Sequence, residues 1–540
     1  MQIKSTQTKY IFVTGGVLSG IGKGIIVGST AKLLDLYGLD ISCTKIDPYL
    51  NVDAGTMNPK AHGEVFVTDD GGETDMDIGT YERFLDKNLS KHNNITTGQI
   101  YLDVIQSERK GEYLGNCVQI IPNITDKIKE RIKKIAANQE GGIVMVECGG
   151  TVGDIESLPF LEAIRQMRQE LGNNNTMFIH VTLAPVLDPV GEEKTKPTQH
   201  SVQELRRIGI QPDVVVVRSK KFISETSKKK IALFTGVDID SIISDPDSYS
   251  IYEVPEILYN EGIVDVIVDK LRLPTREINL GEWKNIRKSF ERKKNKKIQI
   301  GMIGKYIELS DSYVSVNQAL LHSAAKLNID LKIEWIDSAK FEKESESISE
   351  LDKYNGIIIP GGFGERGSEG KIMVADHCRK KNIPFLGICF GFQLALVSFA
   401  RNVCNLEDAN SIELNSKTKN PIINILPSQK KIKDKGATMR LGGHDVKIIS
   451  ETLAYEIYQQ KIIRQRHRHR FEFNKEYLEI FEKKGVKLSA FSDDDKRAEI
   501  MEISKNKFYI ATQFHPEFAS RPGKPDPIYY NFIKASLGKN

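Results

Sequence analysis

Short, unbroken runs of β-branched and aromatic residues punctuate the first half of the chain: Tyr10-Ile-Phe-Val13, Ile143-Val-Met-Val146, Phe178-Ile-His-Val181 and Val214-Val-Val-Val217. They lack the alternation of a half-solvated strand and predict strands buried on both faces of a parallel sheet. Between them, Lys23 to Tyr37 and Ser157 to Leu171 read as helices, and the β-α alternation predicts a doubly wound α/β fold. A second series starts at Ile298-Gln-Ile-Gly-Met-Ile303, continues at Gly356-Ile-Ile-Ile-Pro360 and Pro384-Phe-Leu-Gly-Ile388, and ends near Phe508-Tyr-Ile-Ala511. Two α/β domains are therefore expected, over residues 1–272 and 298–540, joined by a charged linker at 273–297. The basic run Arg292-Lys-Lys-Asn-Lys-Lys297 reads as solvated linker, with nucleic-acid contact or an import signal as the alternative. The polar, weakly periodic stretch from Asn402 to Gly436 reads as a long loop, and no internal repeat stands out.

Composition narrows the function classes. With 76 basic and 72 acidic residues in 540, the formal charge is +4, which argues against a nucleic-acid binder and leaves anion binding to local clusters. The six cysteines are too sparse for a disulfide scaffold or a paired zinc signature, so a reducing cytoplasm is expected. A polar start running straight into a strand, with no long apolar stretch, predicts neither a signal segment nor a membrane span.

After the first strand, Thr14-Gly-Gly-Val-Leu-Ser-Gly-Ile-Gly-Lys-Gly24 is a glycine-rich turn opening a helix. Such a turn brings backbone amides and a helix N-terminus to phosphate, with Lys23 reaching the outer phosphates. Val17 and Gly24 depart from the strict phosphate-loop pattern, so an ordinary tight turn remains the other reading. Glu147, at the end of a buried strand before Cys148-Gly-Gly-Thr-Val-Gly-Asp154, is placed to hold Mg2+, and Asp77 in Glu73-Thr-Asp-Met-Asp-Ile-Gly79 is the second metal candidate. Without a hydroxyl at position 24, an external carboxylate is the more necessary. The Asp77 cluster otherwise reads as a solvated turn, and Lys45-Ile-Asp-Pro-Tyr-Leu-Asn51 and Lys194-Thr-Lys-Pro-Thr-Gln199 as surface loops.

In the second half, Gly387-Ile-Cys-Phe-Gly391 places Cys389 where a strand turns into a helix, a nucleophile elbow that exposes a thiol to helix amides. Far downstream, Thr512-Gln-Phe-His-Pro-Glu517 supplies His515 as base and Glu517 as its orienter. A structural cysteine buried in the core is the competing reading. An oxyanion hole is needed, and Pro360-Gly-Gly-Phe-Gly364 makes the amide of Gly362 a donor beside that of Phe390.

The Gly15 to Gly24 string, the Lys45 to Asn51 run, His62-Gly-Glu-Val-Phe-Val-Thr-Asp-Asp-Gly-Gly-Glu73 and Gly149-Gly-Thr-Val-Gly-Asp-Ile-Glu156 together resemble the amidoligase domain of the CTP synthase family. The cysteine, histidine and carboxylate set resembles the class I glutamine amidotransferases, with Phe390 and Phe392 standing where many relatives carry Leu and Met. The resemblance implies a P-loop-like doubly wound parallel sheet domain followed by an α/β class I amidotransferase domain. It implies that Gly20, Ile21, Gly22, Lys23, Gly24, Ile25, Lys45, Asp77 and Asp247 bind ATP, and that Asp77 and Glu147 coordinate Mg2+. It gives the UTP triphosphate to Ser19, Lys194, Thr195, Lys196, Pro197, Thr198, Gln199 and Lys230. CTP, the feedback inhibitor, overlaps that phosphate site with its base near Asp154, Ile155 and Glu156. Glutamine falls to Gly362, Phe390, Gly391, Phe392, Gln393, Glu413 and Arg470, the last closing Arg466-His-Arg-His-Arg-Phe471, a string read as substrate contact rather than a solvated basic face. GTP as activator through Phe363 and Arg366, an ammonia tunnel, and homotetramers with UTP sites between subunits are implied too, and the family reading is compatible with filaments. The implied reaction is ATP-driven amination of UTP to CTP with ammonia from glutamine. A GMP synthetase lacks support because no Ser-Gly-Gly-Val-Asp-Ser loop is present, and a cobyrinate-type amidase because the Lys194 to Gln199 grip is retained. A non-catalytic nucleotide-binding or filament-forming scaffold is disfavoured by Lys23, Glu147, Cys389, His515 and Glu517 occurring together.

Overall fold

The computed structural model describes residues 7–58, 62–136, 141–187, 191–291, 294, 296–305, 310–429 and 436–538. Part of the basic run, Arg292, Lys293 and Asn295, and residues 430–435 of the expected loop lie outside the described residues. The chain forms two compact units: Met1–Asp53 with Asp77–Lys288, and Ala54–Met76 with Ser289–Asn540.

The first unit is organised by seven strands: β1 (Lys9–Gly15), β2 (Ile41–Asp47), β3 (Asn94–Thr96), β4 (Ile143–Cys148), β5 (Thr176–Leu183), β6 (Val214–Ser219) and β7 (Ile242–Pro246). They lie side by side in the order β7-β6-β5-β1-β4-β2-β3, all parallel. Every residue of β1 is buried, because the strand pairs with β4 on one side and β5 on the other and helices cover both faces. Register then decides chemistry. Val13 and Lys45 both stand opposite Glu147, so Lys45 and Glu147 share the carboxyl end of neighbouring strands, where ligands bind in open parallel sheets.

Helix α1 (Lys23–Leu36) follows β1 through the glycine-rich turn, and α2 (Met76–Leu85) opens with Asp77 in its first turn. Helices α3 (Leu158–Leu171) and α4 (Lys196–Arg207) each carry Pro at the first turn, where its missing N–H costs nothing. The charged linker expected over 273–297 contains a helix, α5 (Gly281–Ser289). Its Trp283 is buried beside Phe84 and Tyr252, with ring centroids 5.7 and 6.1 Å away, and its indole N–H donates to the Tyr252 carbonyl at 3.0 Å. One buried aromatic in an otherwise charged segment anchors it to the first unit, a signal too small for periodicity to register.

The second unit holds a nine-stranded sheet built from β8 (Lys296–Gly304), β9 (Ile329–Asp337), β10 (Gly356–Ile359), β11 (Phe385–Ile388), β12 (Arg440–Ile448), β13 (Ile462–His469), β14 (Lys487–Ser492), β15 (Ala498–Glu502) and β16 (Tyr509–Thr512). The order is β9-β8-β10-β11-β16-β15-β14-β12-β13, parallel through β16 and antiparallel beyond it. Helices α6 (Val314–Lys326), α7 (Ser368–Lys381), α8 (Phe390–Asn402) and α9 (Pro527–Ser536) pack around it, α8 nearly buried throughout. The region read as one long loop contains the strand Pro421–Ile425, which pairs with Phe471–Phe473.

Candidate functional site

In the first unit, Lys23 leaves the first turn of α1, lies 7% exposed, and donates to the Gly150 carbonyl at 2.9 Å. Gly22 caps the helix with φ 96°, a left-handed conformation that glycine adopts without strain. Lys45 donates to Glu147 Oε1 at 2.7 Å and also to Asp77, and the Tyr81 hydroxyl donates to Glu147 Oε2. The departure at Gly24 has a direct cause: a Cβ there would lie 2.1 Å from Asp77 Oδ1. The carboxylate of α2 thus occupies the space in which the usual phosphate loop keeps its hydroxyl side chain. Burial raises the Asp47 carboxyl to about 6, with Lys45 and Asn94 pulling the other way. Burial lowers the Lys23 ammonium and takes His180 down to about 3, the latter reinforced by Lys23.

Among the described residues no group of three or more His, Cys, Asp or Glu could hold a metal ion. Two converging carboxylates nevertheless suit magnesium, which keeps several waters and uses one or two carboxylates plus substrate phosphates. The donor set fits that ion and not a fully protein-ligated one.

The other nucleotide candidates are more dispersed. Ser19 is exposed, as are Asp154, Ile155 and Glu156, with Asp154 accepting from the Thr151 amide at 2.7 Å. Lys194 donates to Glu192 at 2.5 Å, and Lys230 acts on the same carboxylate, so both cations face one acidic side chain. Lys196 lies over the Phe234 ring at 5.2 Å. Thr195, Thr198 and Gln199 are buried: Gln199 donates to Thr195 at 3.0 Å, and Thr198 to the Leu183 carbonyl at 3.1 Å, so these side chains build the start of α4. Asp247 is tied at 3.2 Å to Arg218, which lies against Gly22. Sequence reasoning missed Arg218 and Tyr81. Tyr81 sits four residues after Asp77, hence on the same helical face, and that spacing was the available signal.

In the second unit, Cys389 caps α8 with φ 52° and ψ −98°, a strained conformation for a side-chain-bearing residue. Its amide donates to the Thr512 carbonyl at 2.7 Å, tying the elbow to the strand that leads to His515. His515 Nδ1 meets Glu517 Oε1 at 2.7 Å. A Cβ on Gly361 would fall 2.9 Å from His515 Cε1 and 3.8 Å from Cys389 Cβ, so this glycine is wedged between the histidine and the cysteine. The thiol donates to the Arg468 carbonyl at 3.5 Å, accepts from Gln513 at 3.7 Å, and also interacts with the His515 imidazole. Burial opposes charge on His515, but the Glu517 carboxylate first and Cys389 second outweigh it and raise the imidazole to about 10.

Around this cluster, the Gly364 amide donates to Glu413 at 3.0 Å, and burial raises the Glu413 carboxyl. Arg470 donates to Gln429 at 2.8 Å and Thr438 at 2.9 Å, and Gln393 to the Phe471 carbonyl at 3.1 Å. Phe390, Gly391 and Phe392 form the first turn of α8, with Gly362 beside the Phe390 ring and Lys371 5.3 Å from that ring. Burial, then Lys305, lowers the Lys371 ammonium to about 8. Phe363 is half-exposed with Lys305 at 5.6 Å from its ring, and Arg366 pairs with Asp337 at 3.3 Å.

Two family models cover most of the chain: the CTP synthase N-terminus over residues 9–273 and the class I glutamine amidotransferase over 308–535. The chain is 52% identical over 539 residues to a CTP synthase of Methanocaldococcus jannaschii, covering 98% of this chain and 99% of that one. The chain belongs to the CTP synthase family. As a CTP synthase family member it is a glutamine-hydrolysing carbon–nitrogen ligase, and the two clusters above fall one in each matched region. A CTP synthase of Pyrococcus abyssi is 51% identical over 530 residues, covering 98% of each chain. The glutaminase domain of a Trypanosoma brucei CTPS with bound acivicin matches 45% of this chain and 95% of its own, at 36% identity and TM-score 0.43. Among the described residues no helix is long and apolar enough to cross a membrane, and all six cysteines are free thiols.

Proposed function

We propose that residues 1–272 phosphorylate and aminate UTP while residues 298–540 release ammonia from glutamine, with 273–297 between them. The observation that carries this reading is the Cys389 elbow beside a hydrogen-bonded His515–Glu517 pair, in a chain that also holds Lys23, Lys45, Asp77 and Glu147 together. Cys389 Sγ attacks the glutamine carboxamide carbon, and the amides of Gly362 and Phe390 receive the oxyanion. His515, its tautomer fixed by Glu517, gives a proton to the departing ammonia; water then cleaves the thioester and glutamate leaves. Gln393, Glu413 and Arg470 hold the amino-acid end of glutamine, with Gly391 and Phe392 shaping the pocket.

At the nucleotide site, Gly20 to Ile25 and Lys45 bind ATP, with Asp247 toward the adenine. Ser19, Lys194 to Gln199 and Lys230 bind the UTP triphosphate, and CTP takes the same phosphate contacts with its base at Asp154 to Glu156. Asp77 and Glu147 would hold Mg2+, which neutralises phosphate charge during transfer. Uracil O4 takes the γ-phosphoryl group with loss of ADP; ammonia adds at C4, and phosphate and a proton leave. We extend the proposal to GTP as activator near Phe363 and Arg366, to a tetramer, and to a cytoplasmic setting.

The test follows CTP formation from UTP, ATP and Mg2+ with either glutamine or ammonium chloride. Cys389→Ala is expected to lower the glutamine-driven rate by about 10⁴-fold or more and to leave the ammonium-driven rate within about twofold. Equal loss of both overturns the two-site assignment.

A further inference from the structure

Ala54–Met76 packs within the second unit although it lies early in the chain. Its two short strands, Phe66–Val67 and Glu73–Thr74, pair antiparallel around a turn at Thr68 to Gly72. Strand β13 meets this hairpin. Residues 464, 466 and 468 share one face of that strand by its two-residue period. Each is an arginine turned to the hairpin: Arg464 to Asp69 at 3.0 Å, Arg466 to the Val67 carbonyl at 3.0 Å, and Arg468 to Glu73 at 2.8 Å. The opposite face carries His467, bonded to Glu499 at 2.9 Å. Two arginines of the string read as substrate contact are thus spent on the chain's own hairpin.

The same strand holds the catalytic groups through its backbone. The His515 amide donates to the Arg466 carbonyl at 2.8 Å, and the Cys389 thiol to the Arg468 carbonyl. Ring contacts link the same hairpin to His515. Phe518 stacks on the His515 imidazole at 5.2 Å with planes 18° apart, and fully buried Phe66 meets Phe518 edge-on at 5.0 Å. The Arg466 guanidinium lies over the Phe66 ring at 5.3 Å. Glu64 completes the docking by accepting from the Ser315 amide at 2.9 Å, at the start of α6.

We infer that the 54–76 hairpin is a working part of the glutaminase site, with Phe66 and Glu73 as positioning residues for His515 and Cys389. Phe66 fixes the imidazole plane through Phe518. Glu73 fixes the β13 carbonyl to which the thiol is bonded, through Arg468. Neither residue touches glutamine; both act through another side chain. The inference rests on the assignment of Cys389 as nucleophile.

The experiment uses the full chain, reading glutamate release from glutamine and, separately, alkylation of Cys389 by iodoacetamide across pH 5 to 10. Phe66→Ala and Glu73→Gln are each expected to lower kcat for glutamate release by about tenfold while KM for glutamine stays within about twofold, since misplacing a reacting group costs rate before affinity. In both variants the pH profile of alkylation should shift, because the imidazole paired with the thiol is displaced. Phe66→Leu and Glu73→Asp, which keep bulk and charge, should recover part of the rate, and melting temperature identifies any variant that merely unfolds. Folded variants with unchanged kcat and an unchanged alkylation profile overturn the proposal. Should Cys389→Ala itself release glutamate at the parent rate, it is the nucleophile assignment that fails.

Discussion

The two clusters solve opposite problems. At the proposed nucleotide site, charged side chains bind one another: Lys45 bridges Asp77 and Glu147, and Lys23 rests on a backbone carbonyl. At the proposed glutaminase site the order is in the backbone, with Cys389 held at φ 52° and its amide and thiol both fixed to neighbouring carbonyls. A site that takes a highly charged, metal-bearing ligand can leave its ions to compensate each other until the ligand replaces them. A site whose nucleophile is part of the protein must fix that nucleophile beforehand, and it does so by strain that the surrounding sheet sustains.

Substitutions should therefore act differently at the two places. After loss of Cys389 itself, the largest effect is expected for Glu517→Gln, which leaves the shape of the pair but removes the charge that orients His515: glutamate release should fall by about 10³-fold, with ammonium-driven CTP formation retained. Glu147→Gln should do the reverse, lowering CTP formation from either nitrogen source by about 10²-fold while glutamate release measured without nucleotides persists. Tyr81→Phe, which removes a hydroxyl from Glu147 without emptying its place, should raise the Mg2+ concentration for half-maximal CTP formation about tenfold; calorimetric binding of MgATP should weaken in parallel.

The smallest expected effect is on stability. His515 is raised to about 10 from an ordinary 6.5, so the folded state keeps a proton that the unfolded chain sheds. The resulting stabilisation is complete below pH 6.5 and is lost as pH rises toward 10. Thermal melts of the parent should decline across that window more steeply than those of Glu517→Gln, and parallel curves would show that the pair contributes little.

The central parallel strands of both sheets were legible because strands buried on two faces must be continuously apolar, as Val214 to Val217 and Gly356 to Ile359 are. The antiparallel half of the second sheet was not. Strand β13, Ile462-Ile-Arg-Gln-Arg-His-Arg-His469, has no apolar period, and several of its polar side chains are buried only because distant partners neutralise them. Arg466, His467 and Arg468 therefore read as a substrate string until Val67, Glu499 and Glu73 are seen beside them. Residues 54–76 likewise have no compositional mark setting them apart; salt bridges and an edge-on ring contact made far along the chain decide where they pack. The candidate site residues rested on local signals, an elbow cysteine flanked by glycines, a His-Pro-Glu turn and a strand-end glutamate, whereas Tyr81 and Arg218 meet Glu147 and Asp247 through side chains that only the assembled sheet brings near.

Gly24 and Asp77 are also coupled through space. A Cβ at 24 would lie 2.1 Å from Asp77 Oδ1, so any side chain there requires the carboxylate to turn aside from the place where it meets Lys45. The smallness of residue 24, rather than its backbone freedom, thus sets where the acid of the neighbouring helix can rest.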